Sequence, residues 1–314
     1  MKFLIVDSNA LLHRAFHALP PLNNKNGQQT GAVYGFFLTL FRAIKDISPN
    51  YIVATFDTPS PTFRHKKFKK YKAKRKKAPE EFYQQIPITK EILSAFNIPI
   101  FEKVGFEADD IIATITEKIQ KKQIYPMVEI YIVTGDQDTL QLVNDTTKVY
   151  TLGRGIKETV IFDKNKVLEK YGLFPSQMVD FKALAGDPSD NIPGATGIGK
   201  KIAVNLLKKY NNLENLYKKI ENKNNKDKIN PRIRKILIEQ KDQVFFSYIL
   251  AEARKDAPIE IKIENCKLGN FNKKEIEDLL LKYGFYSLLK RISEIGKKES
   301  TNTVEKTSHN GKLF

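Results

Sequence analysis

Cysteine is almost missing from this chain: Cys266 stands alone among 314 residues. A lone thiol excludes an intramolecular disulfide and a thiolate zinc site, and it fits a reducing compartment. Histidine is scarce as well. His13, His17, His65 and His309 show no metal-ligand spacing and read as structural or surface residues. No apolar run is long enough to span a membrane, and the N-terminal one is only a strand long before Asp7 closes it. A soluble, cytoplasmic protein is the expectation. Acids are in deficit, 36 Asp and Glu against 53 Lys and Arg, for a formal charge of +17. That balance favours polyanionic partners. Lysine kept for solubility alone is the plainer alternative, and the clustering described below disfavours it.

What the chain does have is a set of strands that end in acids. Three apolar, β-branched runs close on aspartate: Phe3–Asp7, Ile52–Asp57 and Ile130–Asp136. Between them lie helical patterns. Thr30 is placed to cap a helix whose stripe is Val33, Phe37, Leu40, Phe41, Ile44 and Ile47. A second helix follows Gly105, with Ile111, Ile112, Ile115 and Ile119 inward. Strand–helix alternation predicts a doubly wound α/β domain over 1–165. In such sheets ligands bind beyond the carboxyl ends of the strands, so three carboxylates are aimed at one crevice.

From 166 to 295 the pattern is of short helices, around Val167–Tyr171, Gln177–Leu184, Lys201–Tyr210 and Arg232–Ile238, with a last one carrying Ile276, Leu279, Leu280 and Tyr283. Glu221–Asn230 is low in complexity and reads as a loop, and 296–314 as a disordered tail.

Further acids join the strand-end aspartates. Glu107, Asp109 and Asp110 fall in the first turn of the helix after Gly105; the macrodipole favours acids there, but three in four residues exceed what it explains. Asp136 and Asp138 follow the third strand, and Asp187 and Asp190 sit in the turn-forming GDPSDN segment. Nine carboxylates with no His or Cys among them suit Mg²⁺ or Mn²⁺, with waters completing the coordination. Nine are too many for one ion, and two ions about 4 Å apart would clamp a displacement at phosphorus.

Arg64–Lys77 is the counterpart: ten Lys or Arg in fourteen residues and no acid. A solvated charge run is the plain reading. This one is internal, however, and Phe63, Phe68 and Tyr71 interrupt it as aromatics that single-stranded nucleic acid stacks upon. Gly194–Lys201 nearly matches a P-loop, but Lys201 replaces the Mg²⁺-holding hydroxyl and a turn precedes it rather than a strand. A glycine hairpin between helices, facing a DNA phosphate with Gly194, Gly197, Gly199, Lys200 and Lys201, is the better reading.

Seven stretches in order, VDSNALLHRAFHALP, TGAVYGF, ATFDTPSPTFRHKKFKKYKAKR, GFEADD, TGDQD, LAGDPSDNIPG and GIGKK, closely resemble the bacterial 5′-3′ exonuclease (flap endonuclease) family, the 5′-nuclease domain of DNA polymerase I. The resemblance covers residues 3 to about 290. It implies a PIN-like fold with a helical arch at about 60–90, a helix-hairpin-helix at about 180–210, and divalent-metal hydrolysis of 5′ flaps and 5′ ends in replication and repair. It places Asp7, Asp57, Glu107, Asp109 and Asp110 at a first metal, and Asp136, Asp138, Asp187 and Asp190 in the rest of the site. Arg64, Lys72 and Arg75 fall at its phosphate-contacting positions, beside Tyr71, and the hairpin is implied to hold K⁺. Gln137 departs from the family's Lys or Arg, Ile202 from its Thr, and the arch is unusually lysine-rich.

A stand-alone, monomeric nuclease acting on flaps, nicks or 5′ ends, RNA-primed ones included, is the expectation. The rivals are a DNA-structure binder without catalysis, a PIN-like ribonuclease and, distantly, a P-loop NTPase. Leu313–Phe314 also faintly resembles peptides that dock on the sliding clamp; an incidental apolar pair is the alternative.

Overall fold

The computed structural model describes residues 1–121, 128–153, 158–222 and 229–295. The centre of the expected loop and the whole expected tail, with Leu313–Phe314, lie outside the described residues. Six strands form one sheet: β1 (Lys2–Asp7), β2 (Tyr51–Thr55), β3 (Ile100–Phe101), β4 (Glu129–Val133), β5 (Thr147–Leu152) and β6 (Thr159–Phe162). Their order is β3-β2-β1-β4-β5-β6, parallel throughout except for β6, which runs antiparallel to β5. The chain order reverses between β1 and β4, so the switch point lies beside the carboxyl end of β1.

Parallel strands buried on both faces need continuous apolar runs, and β1, β2 and β4 supply them. Period-2 alternation then divides each strand between two cores. Leu4, Val6, Ile52, Ala54 and Val133 face one layer, and Phe3, Ile5, Val53, Ile130 and Ile132 face the other. The first layer holds α1 (Ser8–Ala18) and α2 (Gly31–Ile47). Every stripe residue predicted for α2 is buried. Thr30 stands at its N-cap position without a side-chain cap bond; the Gln85 side-chain oxygen instead accepts from the amides of Ala32 (2.8 Å) and Val33 (3.3 Å).

The basic segment folds as a five-residue helix, α3 (Phe63–Lys67), and a run of turns. After these come α4 (Glu80–Tyr83) and α5 (Gln85–Ala95). The opposite layer carries α6 (Ala108–Lys121), whose Ile111, Ile112, Ile115 and Ile119 are buried as predicted.

Beyond the sheet, α7 (Lys164–Tyr171) buries Val167 in the layer of α6, and α8 (Met178–Ala185), α9 (Lys200–Tyr210), α10 (Leu213–Glu221), α11 (Pro231–Glu239) and α12 (Lys241–Ala251) surround a core of their own. The α8–α9 connection closes with a bridge between Asp187 and Ile192. Gly194 is required there: a Cβ would lie 2.2 Å from the Gly186 nitrogen, and its φ is +62°. The last helices, α13 (Lys273–Lys282) and α14 (Tyr286–Ile295), return to the sheet domain and bury Ile276, Leu280, Leu288 and Ile292 in the layer of α2. The 166–295 stretch thus contributes to both layers of the sheet domain, Met178, Ile261 and Cys266 joining the layer of α6, as well as to the helical core. Among the described residues no helix is long and apolar enough to cross a membrane.

Because Leu280 is fully buried in the sheet-domain core, Leu280→Ala should cost about 2–5 kcal/mol of stability. Urea denaturation followed by circular dichroism measures it. A peripheral α13 would leave the midpoint unchanged.

Candidate metal and nucleic-acid site

A cleft of about 750 Å³ opens at the switch point, and Asp7, Asp57, Glu107, Asp109 and Asp136 line it. The fold delivers these acids by three routes. Asp7 ends β1 and caps α1, accepting from the Ala10 amide at 3.1 Å, while its other oxygen accepts from the Thr134 hydroxyl at 2.6 Å. Asp57 and Asp136 follow β2 and β4. The Asp57 carboxylate accepts from the Ala108 amide at the start of α6 (2.7 Å), and Asp136 accepts from the Asp138 amide (2.9 Å). Glu107 stands immediately before α6 and Asp109 in its first turn.

The nine predicted carboxylates divide into two classes. In the first, Asp7, Asp57, Asp109 and Asp136 form no ion pair with a cation of the chain among the described residues. Burial raises Asp109 and Asp57 and outweighs Lys72, which pulls both down, and Arg75, which pulls Asp57 down. Burial pushes Asp7 up to about 7, with Asp57 and Asp136 adding repulsion. Burial also holds Asp109 well above the ordinary carboxylate range, reinforced by Asp136, Asp7 and Asp138.

In the second class the chain's own cations neutralise the acids. Burial would raise Glu107, but Lys72 and Arg64 keep it below its usual value; its carboxylate accepts from Lys72 Nζ (2.9 Å) and the Tyr71 hydroxyl (3.1 Å). Asp190 accepts from Arg75 (2.5 Å) and from Tyr71 (3.1 Å). Lys182 lies between Asp138 and Asp187 and ion-pairs with both. Asp187 is held down to about 2 against its burial by that lysine, whereas burial leaves Asp138 raised to about 6.

Three of the predicted site residues are held by partners within the chain. Arg64 is buried, donates to both Asp110 oxygens (2.8 Å each), and directs further donors to the carbonyls of Leu250 and Glu252. Asp110 is fully engaged by the same contacts. Beyond the two Arg64 bonds it accepts from the amides of Glu107 (3.0 Å) and Arg254 (2.8 Å), two donors per oxygen, which fills its acceptor capacity. The Tyr71 ring is buried, and its hydroxyl ties Glu107 to Asp190.

The glycine hairpin stands apart from the cleft. Gly199 occupies the N-cap position of α9 without any side-chain cap, and a Cβ there would meet open space. Lys200 and Lys201 are exposed beside the first α9 amides, which lack intrahelical acceptors. The carbonyls of Gly194 and Thr196 accept from Gln243 and Gln240.

Sequence reasoning missed Lys182, Arg254, Arg14 and the cleft position of His13. His13 lines the cleft and stacks on Phe82 at 4.0 Å, and its pKa is lowered by burial and by His17 and Arg75. Arg14 lines the cleft as well and donates to the Gly153 carbonyl. Ala10 and Arg14 lie three and seven positions after Asp7, the spacing of one helix face, and that was the available signal.

A divalent ion fits the donor chemistry. The unanswered acids offer hard oxygens and lie close enough to raise one another's pKa. Among the described residues no three acids, histidines or cysteines converge as a ready-made cage, as suits an ion that keeps several waters.

Two outcomes follow. Arg64→Ala should cost about 3–5 kcal/mol of stability by stranding Asp110, read by urea denaturation; a solvated arginine would cost almost nothing. Asp7 binds a proton more tightly folded than unfolded, so its folded-state contribution is full below about pH 4 and is lost as pH rises towards about 7. In EDTA, Asp7→Asn should therefore raise the melting temperature more at pH 8 than at pH 5. An equal change at both pH values would contradict an unanswered carboxylate.

The profile described as "5'-3' exonuclease, N-terminal resolvase-like domain" matches residues 2–172, and "5'-3' exonuclease, C-terminal SAM fold" matches 173–274. The chain is 39% identical over 293 residues to DNA polymerase I of Bacillus subtilis (strain 168), covering 93% of this chain and 32% of that one. It thus spans about a third of the length of such relatives. It is 36% identical over 305 residues to the 5'-3' exonuclease of Aquifex aeolicus (strain VF5), covering 97% of this chain and 100% of that one. Among solved structures, T5 5'-exonuclease with bound zinc aligns with a TM-score of 0.64 at 22% identity, over 95% and 100% of the two chains. The catalytic core of Rad2 with DNA substrate aligns at 0.55 and 20% identity, over 94% and 91%. With both profiles matched end to end and a mostly parallel sheet that ends in acids, the chain belongs to the 5′-3′ exonuclease family.

Proposed function

We propose that this protein hydrolyses DNA phosphodiesters at 5′ flaps and 5′ ends with a divalent metal, leaving a 5′-phosphate and a 3′-hydroxyl. One observation carries the reading: acids that repel one another and that no ion pair among the described residues neutralises, set beneath a lysine-rich segment at the switch point of the sheet. Asp7, Asp57, Asp109 and Asp136 would hold a first Mg²⁺ or Mn²⁺, with Glu107 beside them. A second ion would share Asp136 with Asp138, Asp187 and Asp190, where Lys182 and Arg75 now answer the charge and would have to yield. A bound ion supplies Lewis acidity towards the phosphodiester and eases deprotonation of water.

The chain's own residues do the rest. Thr134 and the Ala10 amide fix the Asp7 carboxylate so that it need not reorganise. Lys72 and Arg75 lie against Glu107 and Asp190. A phosphate entering the cleft competes for both cations, which places them on its oxygens and balances charge developing at phosphorus. Lys200, Lys201 and the first amides of α9 would grip a duplex phosphate away from the cleft, orienting the DNA without reading its sequence. At the hairpin, Gln243 and Gln240 already occupy the carbonyls of Gly194 and Thr196, so a K⁺ there would have to displace them.

The lone, buried Cys266 supports a reducing, cytoplasmic setting. A monomer acting on flaps, RNA-primed ones included, is the simplest form of the proposal. Sliding-clamp docking would rest on Leu313–Phe314, outside the described residues.

In single turnover on a 5′-labelled flap duplex with Mg²⁺, Asp136→Ala should cut the rate by about a hundredfold or more and leave binding nearly unchanged. EDTA should abolish cleavage. Tight binding by the wild type with no cutting in Mg²⁺ or Mn²⁺ would favour a non-catalytic binder, and preferential cutting of an RNA flap would favour the ribonuclease reading.

A further inference from the structure

Outside the cleft, a cavity of about 580 Å³ lies between the basic segment and α12. Phe68, Lys70, Asn191, Pro193, Asp242, Gln243 and Phe246 line it. Phe68 and Phe246 are each half-buried and meet edge to face, with ring centroids 5.6 Å apart at 86°. That arrangement leaves ring faces that the partner does not cover. Nothing in the sheet or the carboxylate cleft uses this pair. It belongs to a small apolar cluster with Tyr71, Ile192 and Leu250.

The walls are tied in place. Asn191 Nδ2 donates to the Lys70 carbonyl (2.7 Å), which fastens the lysine turn to the α8–α9 connection, and Gln243 Nε2 donates to the Gly194 carbonyl (2.5 Å), which fastens α12 to the hairpin. The cavity is therefore shaped before any ligand arrives.

Its charge is divided. Lys66, Lys67, Lys69 and Lys70 are exposed around the Phe68 side. The exposed Asp242 carboxylate lies on the α12 side. Lysines at one rim suit a phosphate. An acceptor at the other suits the exocyclic amine of a base, and the ring faces between suit the base itself. Tyr71 links this cavity to the carboxylate cleft: it joins Phe68 in the apolar cluster, and its hydroxyl reaches Glu107 and Asp190.

We propose that the Phe68–Phe246 cavity binds one unpaired nucleotide of the single-stranded 5′ arm, its base stacked on the aromatic pair and its phosphates on the lysine turn. The proposal rests on the nuclease reading for the origin of the arm. Its test uses binding alone, so either can fail separately.

The experiment is fluorescence anisotropy of the full chain in EDTA with three DNAs: a nicked duplex, the same duplex with a 5′ arm of thymidines and cytidines, and one with an arm of abasic residues. Wild type should bind the normal arm about fivefold or more tightly than the abasic arm, the scale of one base–aromatic stack. Phe246→Leu keeps an apolar side chain and should erase that preference while binding the nicked duplex as before; Phe246→Tyr should retain it. If Phe246→Leu melts early, Phe68→Leu is read the same way. Equal affinity of wild type for both arms would overturn the proposal, and is the result expected of a peptide pocket. A preference that survives loss of the ring would overturn it too, since the base would then be held elsewhere.

Discussion

Repulsion among buried carboxylates is the constraint on which the rest of the molecule turns. Asp7, Asp109 and Asp136 are brought together by a strand end, a helix start and a second strand end, and among the described residues none forms an ion pair with a cation of the chain. A fold that crowds charge in this way sacrifices stability unless a ligand repays it. The +17 balance of the whole chain makes the arrangement more telling, because there is no shortage of lysines to answer those acids. Lysines and arginines do answer their neighbours Glu107, Asp110, Asp187 and Asp190. The division follows position. The unanswered acids floor the cleft at the switch point, and the paired ones fasten its walls.

The wall pairs make the site a joint between distant parts of the chain. Arg64 joins the basic segment to α6 through Asp110 and to the end of α12 through the carbonyls of Leu250 and Glu252. Tyr71 and Arg75 fasten the same segment to Asp190 in the α8–α9 connection. Lys182 draws that connection towards the 3₁₀ turn after β4 through Asp138. Sheet domain and helical region therefore meet across one continuous network of charge. A mutation that strands a partner within it reaches both.

Much of this was legible beforehand because it depends on periodicity and on strand ends. The buried runs of β1, β2 and β4, the stripes of α2 and α6, and the placement of Asp7, Asp57 and Asp136 beyond parallel strands all follow from local pattern and a rule about open sheets. The misread residues depend on tertiary contact. Arg64 opens a run of lysines and reads as solvated, yet Asp110 and two carbonyls from residues 250–252 enclose it. Tyr71 lies in the same run and reads as a stacking ring, but its hydroxyl is what the site uses. Lys182 sits in an apolar helix pattern, five residues before Asp187, and no local rule singles it out. Strands β3 and β6 went unnamed because their runs are brief, and β5 because Thr147, Lys148 and Thr151 break its apolar run.

The unanswered acids, and not the paired ones, should receive the first metal. The most direct test is an anomalous difference map from crystals soaked in Mn²⁺ at low concentration. The account predicts a first peak in the cleft within coordination or one-water distance of Asp7, Asp109 and Asp136, with Asp110 still held by Arg64. A first peak on Asp110, or between Asp187 and Asp190 with the cleft floor empty, would contradict it.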